Sequence, residues 1–281
     1  MSQLRFRRRN VDRTRPAAEG LVAYGSGPHG WRVCTAFATG ARGQVVRSNR
    51  GLLPGNHDIA LWGILRGCWE IIKGCQRDGR DFWYLDHAYY RRGHMHRVYR
   101  VVRSDLWVPK GGFPVGRGRR RWRLFEPYVD LRPWRPNGRT VLICPSSPII
   151  TRQLKSEQWL EDAKALCERY TDRPVVIRKK SSALPLAKQI EMDDVHCVVA
   201  DRSMVAVEAA LLGCPVFVHP GSPAAPVGLT DLAAIDDPIR PDRTAWIESL
   251  AWCQYSEAEM RSGEAWRALR EIWSNSNEVA A

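Results

Sequence analysis

Four short apolar runs in the second half of the chain constrain its fold more than any other feature. Thr140 to Cys144, Val175 to Ile177, Val195 to Ala200 and Pro215 to Val218 are of strand length and predominantly apolar. Strands of that kind are buried on both faces, as in a parallel sheet covered by helices. Helical stretches separate them. Lys155 to Tyr170 carries Trp159, Ala163, Leu166 and Tyr170 on one face, Pro185 to Ile190 is short, and Met204 to Leu212 opens at Ser203 and ends at Gly213. Alternation at this spacing predicts right-handed crossovers between parallel strands. From Pro241 onward the chain reads as helical, with Trp246, Leu250, Trp252, Trp266, Leu269 and Trp273 expected to pack back onto the body.

The first half repeats the pattern less cleanly. Leu21 to Tyr24, Val45 to Arg47, Asp58 to Trp62 and Phe82 to Leu85 read as strands, and Trp31 to Ala38 and Ile64 to Cys75 as helices. Residues 104–138 are rich in Gly, Pro, Arg and Trp without a period, which predicts a mobile basic loop followed by an interlobe connection. The expected architecture is two α/β lobes with parallel sheets and a helical C-terminal tail, divided as residues 1–138 and 139–281.

The longest apolar runs, such as Val205 to Leu212, fall well short of the ~20 residues that cross a bilayer. Six arginines between Met1 and Arg15 are followed by no apolar core of a leader, so neither membrane insertion nor secretion is expected. The eight cysteines form no C-x-x-C pair and mostly sit in apolar runs. Buried thiols in a reducing, cytoplasmic setting are the expectation.

Charge separates the two halves. Residues 1–139 hold 26 Arg and 2 Lys against 10 acids, whereas residues 140–281 hold 10 Arg and 5 Lys against 20 acids, which together make the net +13. The first lobe is therefore expected to face a polyanion, and its preference for Arg over Lys suits bidentate phosphate contact.

The sharpest local motif is Asp201-Arg202-Ser203-Met204-Val205-Ala206-Val207-Glu208-Ala209-Ala210-Leu211-Leu212-Gly213-Cys214-Pro215-Val216. A buried strand runs into a helix with a serine N-cap, and Gly-Cys-Pro turns into the next strand. The stretch resembles the donor-binding lobe of two-lobed, GT-B-type glycosyltransferases, with their Ser-x-x-x-x-Glu-Ala-Leu-x-Gly-x-Pro-Val pattern. It is most similar to capsule-polysaccharide-type and small phage-borne members. Ala210 departs from the pattern's Leu, and no Asp-x-Asp metal motif is present.

The resemblance, over residues 140–260, implies two Rossmann-like lobes and transfer of a sugar from a nucleotide-sugar, expected to be a UDP-sugar. It also implies donor contacts from the amides of Ser203, Met204 and Val205 and from Glu208. A metal-independent mechanism is expected, without any further cofactor, in which the helix dipole and basic groups stabilise the departing diphosphate. Other strand ends of this lobe converge on the same rim. They add Ser146, Ser147, Arg178, Lys179, Gly221 and Ser222 as donor-site candidates.

In the first lobe, Gly25-Ser26-Gly27-Pro28-His29-Gly30 follows a strand but is no G-x-G-x-x-G, so a dinucleotide fingerprint is rejected. His29 is one candidate general base for an acceptor hydroxyl, and Asp86, also just past a strand, is the other. His87, His94 and His96 lack the partners and spacing of a metal site. Arg91, Arg92, Arg97, Arg100, Arg117, Arg119, Arg120, Arg121 and Arg123 interleave with aromatics, a mixture that suits phosphate contact and base stacking. The acceptor expected from this is DNA bearing a hydroxymethylated pyrimidine, flipped from the duplex, with Trp107, Trp122 and Trp134 filling the vacated stack. A glycan or lipid head group is the alternative acceptor, and a nucleic-acid-binding protein without catalysis is the alternative class.

Overall fold

The computed structural model describes residues 20–90, 97–114, 118–179 and 182–275. The first lobe begins with β1 (Leu21–Gly25), α1 (Gly27–Gly40), β2 (Gln44–Arg47), β3 (Asp58–Trp62), α2 (Cys68–Arg77), β4 (Trp83–His87) and β5 (Val98–Arg103). A short helix, α3 (Arg119–Phe125), precedes the interlobe connection. The second lobe holds β6 (Thr140–Ile143), α4 (Pro148–Leu154), α5 (Trp159–Tyr170), β7 (Val175–Ile177), α6 (Leu186–Met192), β8 (Val195–Ala200), α7 (Met204–Leu211) and β9 (Val216–Val218). The chain ends through α8 (Thr244–Trp252), β10 (Gln254–Ser256), α9 (Glu257–Ser262) and α10 (Glu264–Asn275).

Two α/β lobes with parallel sheets are present, as the apolar runs require. The second sheet runs β7-β6-β8-β9 and is parallel throughout. The first runs β10-β5-β4-β3-β1-β2, with β2, β1, β3 and β4 parallel. Numbered within each lobe, the parallel strands share one order: second, first, third, fourth. Each sheet thus has a switch point between its first and third strands, where connections leave in opposite directions and a crevice opens at the carboxyl ends.

The structure departs from expectation at the other edge of the first sheet. Val98–Arg103, read as a basic surface stretch, is a strand antiparallel to β4. Gln254–Ser256, read as part of a continuous helical tail, is a strand antiparallel to β5. Residues 254–275 therefore belong with the first sheet although they follow the second lobe. Leu269 and Met260, with half-buried Trp266, join the core over β1, α1 and β4. Ser256 explains the break in helix. Its side chain and Glu259 form a reciprocal capping box that restarts the helix at α9.

A continuous apolar cluster joins the lobes, from Val22, Leu61 and Tyr84 through Trp107, Trp122 and Trp246 to Leu142, Val198 and Met204. The connection is pinned to the end of α7, where Arg132 N–H and Arg135 N–H donate to the carbonyls of Leu211 (2.9 Å) and Gly213 (2.7 Å). Gly213 has φ +77° and lies so close to Pro133 O that a Cβ there would collide with it. Arg243 donates to the carbonyls of Ala210 and Arg132 and stacks on Trp134, 4.3 Å from the ring centroid. All eight cysteines are buried and free. Burial pushes the thiols up, to about 12 at Cys144 and about 11 at Cys68. No helix among the described residues is long and apolar enough to cross a membrane.

Candidate active site

Two cavities occupy the two switch points. A cleft of about 650 Å³ lies at the ends of β1, β3 and β4 and is closed on its far side by the start of α4. His29 and Asp86 both line it, together with Trp62, Tyr84, His87 and Arg66 from the first lobe and Ser147, Ile149 and Ile150 from the second. A second cavity, about 620 Å³, lies at the ends of β6 and β8 and is lined by Ser146, Lys179, Asp201, Arg152, Glu157 and Trp159 among others. The loop Pro145–Pro148 stands between them, with Ser147 facing the cleft and Ser146 the second cavity.

Asp86 is held ionised. Its Oδ2 accepts from Arg100 Nη2 (2.8 Å) and Tyr84 O–H (2.9 Å), and its Oδ1 from His87 N–H (2.7 Å). Burial pushes the carboxyl up, but the Arg100 guanidinium, the His87 amide and the Tyr84 hydroxyl outweigh it and hold it below the usual carboxylate range. Arg100 is itself 3% exposed and also donates to the carbonyls of His87 and Leu106. It reaches Asp86 because β5 pairs with β4 in a register that sets Arg100 opposite Asp86.

His29 sits in the first turn of α1, half-buried between Trp62 (ring centroids 4.8 Å) and Tyr99 (5.6 Å), with His87 stacked at 5.9 Å. Arg32 Nη2, which can only donate, lies 3.1 Å from His29 Nδ1. In a neutral imidazole that contact leaves the proton on Nε2, which is itself buried. The cleft thus combines the ionised Asp86 carboxylate with the half-buried His29 ring.

The second-lobe candidates divide. Ser203 caps α7 by accepting from Val205 N–H (3.4 Å), and Ser147 caps α4 by accepting from Ile150 N–H (3.5 Å). Met204 is buried in the core. Arg178 donates to Gln189 Oε1 and Leu184 O and packs the start of α6. Ser222 is 1% exposed and accepts from Ala224 N–H, so its side chain closes a turn. Gly221 admits the close pair Arg202 and His219, whose ring accepts from Arg202 Nε at 3.0 Å. Glu208 lines a different recess, about 340 Å³, with Tyr89, Tyr90 and Asp130, and not the cavity of Ser146 and Lys179.

The arginine set divides as well. Arg100 and Arg121 do not face a polyanion. Arg121 is buried, pairs with Glu259 (2.8 Å) and donates to Gln254 O (2.7 Å), tying α3 to the C-terminal strand and helix. Arg97, Arg119, Arg120 and Arg123 are exposed, while Arg91, Arg92 and Arg117, with His94 and His96, lie outside the described residues. Trp107 and Trp122 are buried in the shared core and Trp134 donates to Pro241 O, so none is poised to enter a base stack. Groups of three or more His, Cys, Asp or Glu able to hold a metal are absent among the described residues.

Sequence reasoning missed Trp159, Arg152 and Asp201 in the second cavity and Arg100 as the partner of Asp86. Asp201 lies just past β8, Trp159 at the start of α5 and Arg152 in the last turn of α4, and the signal available for them was their position beyond β6 and β8. Arg100 had no local signal, because its partner is 14 residues away across a strand pair.

No family model and no curated protein matches the chain. Two solved structures from Thermosulfurimonas dismutans are similar to it in shape, each at 13% identity and a TM-score of 0.48. The KpsC beta Kdo 2,4 transferase matches over 84% of this chain and 91% of its own. The KpsC beta Kdo 2,7 transferase matches over 89% and 100%.

Proposed function

We propose that the chain is a glycosyltransferase in which a nucleotide-sugar occupies the second-lobe cavity and an acceptor hydroxyl enters the cleft. The observation that carries this reading is the pair of cavities at the two switch points, separated only by the Pro145–Pro148 loop, with Asp86 and His29 on one side and Ser146, Lys179 and Trp159 on the other. Trp159 offers a face for a base, and Lys179 and Arg152 offer charge to the phosphates.

In the proposed step the acceptor O–H gives its proton to Asp86 while its oxygen bonds the anomeric carbon. The bond from that carbon to the leaving phosphate breaks, and the electron pair stays with the nucleotide. Lys179 and Arg152, rather than a metal, meet the charge that develops there. His29, half-buried against Trp62 and Tyr99, forms part of the cleft wall beside the acceptor.

A glycan acceptor fits a cleft of this size, since ligand pockets of about 300–1,000 Å³ bury most of a compact small ligand. DNA is the second reading, and the exposed Arg119, Arg120 and Arg123 on α3 are the observation that favours it.

Incubation with a panel of nucleotide-sugars, following nucleotide release, tests the proposal. Release with at least one donor is expected, and Asp86→Asn should lower it by about 10²-fold or more. The acid limb of the pH–rate profile should fall below the ordinary carboxylate range of about 4, because Asp86 is the base. A limb near 6.5 would return that role to His29. No nucleotide binding or release with any donor would overturn the reading as an enzyme.

A further inference from the structure

A third recess, about 460 Å³, opens beside the cleft and shares Ser26, Gly27, Pro28 and Arg66 with it. Arg47, at the end of β2, and Arg66, between β3 and α2, both line it. Both side chains are exposed, and among the described residues neither guanidinium has a hydrogen-bonding or ion-pairing partner. That sets them apart from Arg100 and Arg121, which are consumed by carboxylates and carbonyls.

The lining of this recess contains no acidic residue. Two like charges, one at a strand end and one on a loop, therefore face one concave space without compensation, and the potential between them attracts an anion. The guanidinium of Arg66 lies directly over Gly27, where any Cβ would collide with it. Gly27 thus provides the room that sets this charge at the mouth of the acceptor cleft. The first turn of α1 adds to the same field, for it has no acidic residue and Ser26 makes no capping bond.

We infer that Arg47 and Arg66 hold an anionic substituent, a carboxylate or a phosphate, on the acceptor, which makes the acceptor an acidic glycan. This rests on the assignment of the cleft to the acceptor. The planar guanidinium fork suits either anion in bidentate geometry. Trp31, 42% exposed and lining the same recess, provides a local reporter.

Protein labelled with 5-fluorotryptophan, with the Trp31 signal assigned from Trp31→Phe, is titrated at constant ionic strength with inorganic phosphate and, separately, with glucuronate. At least one anion should shift the Trp31 resonance saturably, and the tighter of the two identifies the group. Arg47→Gln and Arg66→Gln should each weaken that binding about tenfold or more, with the other tryptophan resonances unchanged as proof of folding. Unmoved Trp31 resonances with both anions, or unchanged affinity in the double variant, would overturn the inference. A response at Trp31 only to duplex DNA would also overturn it, in favour of a nucleic acid. Nucleotide titration, read at Trp159, fails or succeeds independently, so loss of the donor reading is distinguishable from loss of this one.

Discussion

The two strand-end rims are built on the same strand order yet use their polar residues differently. In the first lobe the polar groups at the ends of β1 and β4 point into the cleft, and the sheet spends buried residues on holding them there, as Arg100 holds Asp86. In the second lobe many rim residues that look like ligand groups are occupied by the protein itself. Ser222 closes a turn, Arg178 packs α6, and Arg202 is bound to His219. A shared topology therefore places crevices, but the neighbouring strands decide which side chains are left to work in them.

The largest expected effect tests that support of Asp86. Arg100→Ala leaves a half-buried carboxylate and two carbonyls without this donor and should cost about 2–3 kcal/mol in urea unfolding. A loss below about 1 kcal/mol would mean that Asp86 is solvated and the first rim no more prearranged than the second. Arg121→Ala breaks the corresponding tie to Glu259 and Gln254 and should come close to it.

Acid should act through the same groups. Asp86 and Glu259 are both held below the ordinary range: burial pushes each carboxyl up, and Arg100 with His87 and Tyr84, or Arg121 with Ser256, together outweigh it. Their folded values lie below their unfolded ones. The stability they contribute is thus complete above the unfolded values, about 3.9 and 4.3, and is lost as pH falls through the folded values. Asp86→Asn should flatten that acid limb, measured as the denaturation midpoint between about pH 5 and 2. An unchanged limb would remove Asp86 from the account.

Smaller effects separate the rims further. Ser203→Ala removes the cap of α7 and should cost about 1 kcal/mol, with Ser203→Gly milder by some tenths. At the bottom of the scale, replacing Arg119, Arg120 and Arg123 together by Ala should change stability by only about 0.5 kcal/mol for each site or less. If duplex DNA is the acceptor, the same variant should flatten the log–log salt dependence of DNA binding by up to ~3. An unchanged slope would leave those arginines as a solvated face.

Much of this was legible in the chain because it is local. Apolar runs, serine caps and Gly213 are written in a few adjacent residues, so the strand–helix alternation of the second lobe, its rim and its capped α7 follow from the sequence, as does the burial of all eight thiols. The first-lobe loops with His29 and Asp86 could be placed for the same reason, each lying just past an apolar strand.

Tertiary structure alone decided what depends on partners distant in the chain. Arg100, Arg121, Arg119 and Arg47 look alike in sequence, since each is a guanidinium in a basic stretch. Strand register sets Arg100 against Asp86, and the return of residues 254–259 sets Arg121 against Glu259 and Gln254, while Arg119 and Arg47 meet solvent. A guanidinium can be buried only beside a carboxylate or carbonyls that replace its water, and those partners lie 14 and 138 positions away for these two arginines. Composition thus determined how much positive charge the first lobe carries, and only the fold determined which of it remains available to bind.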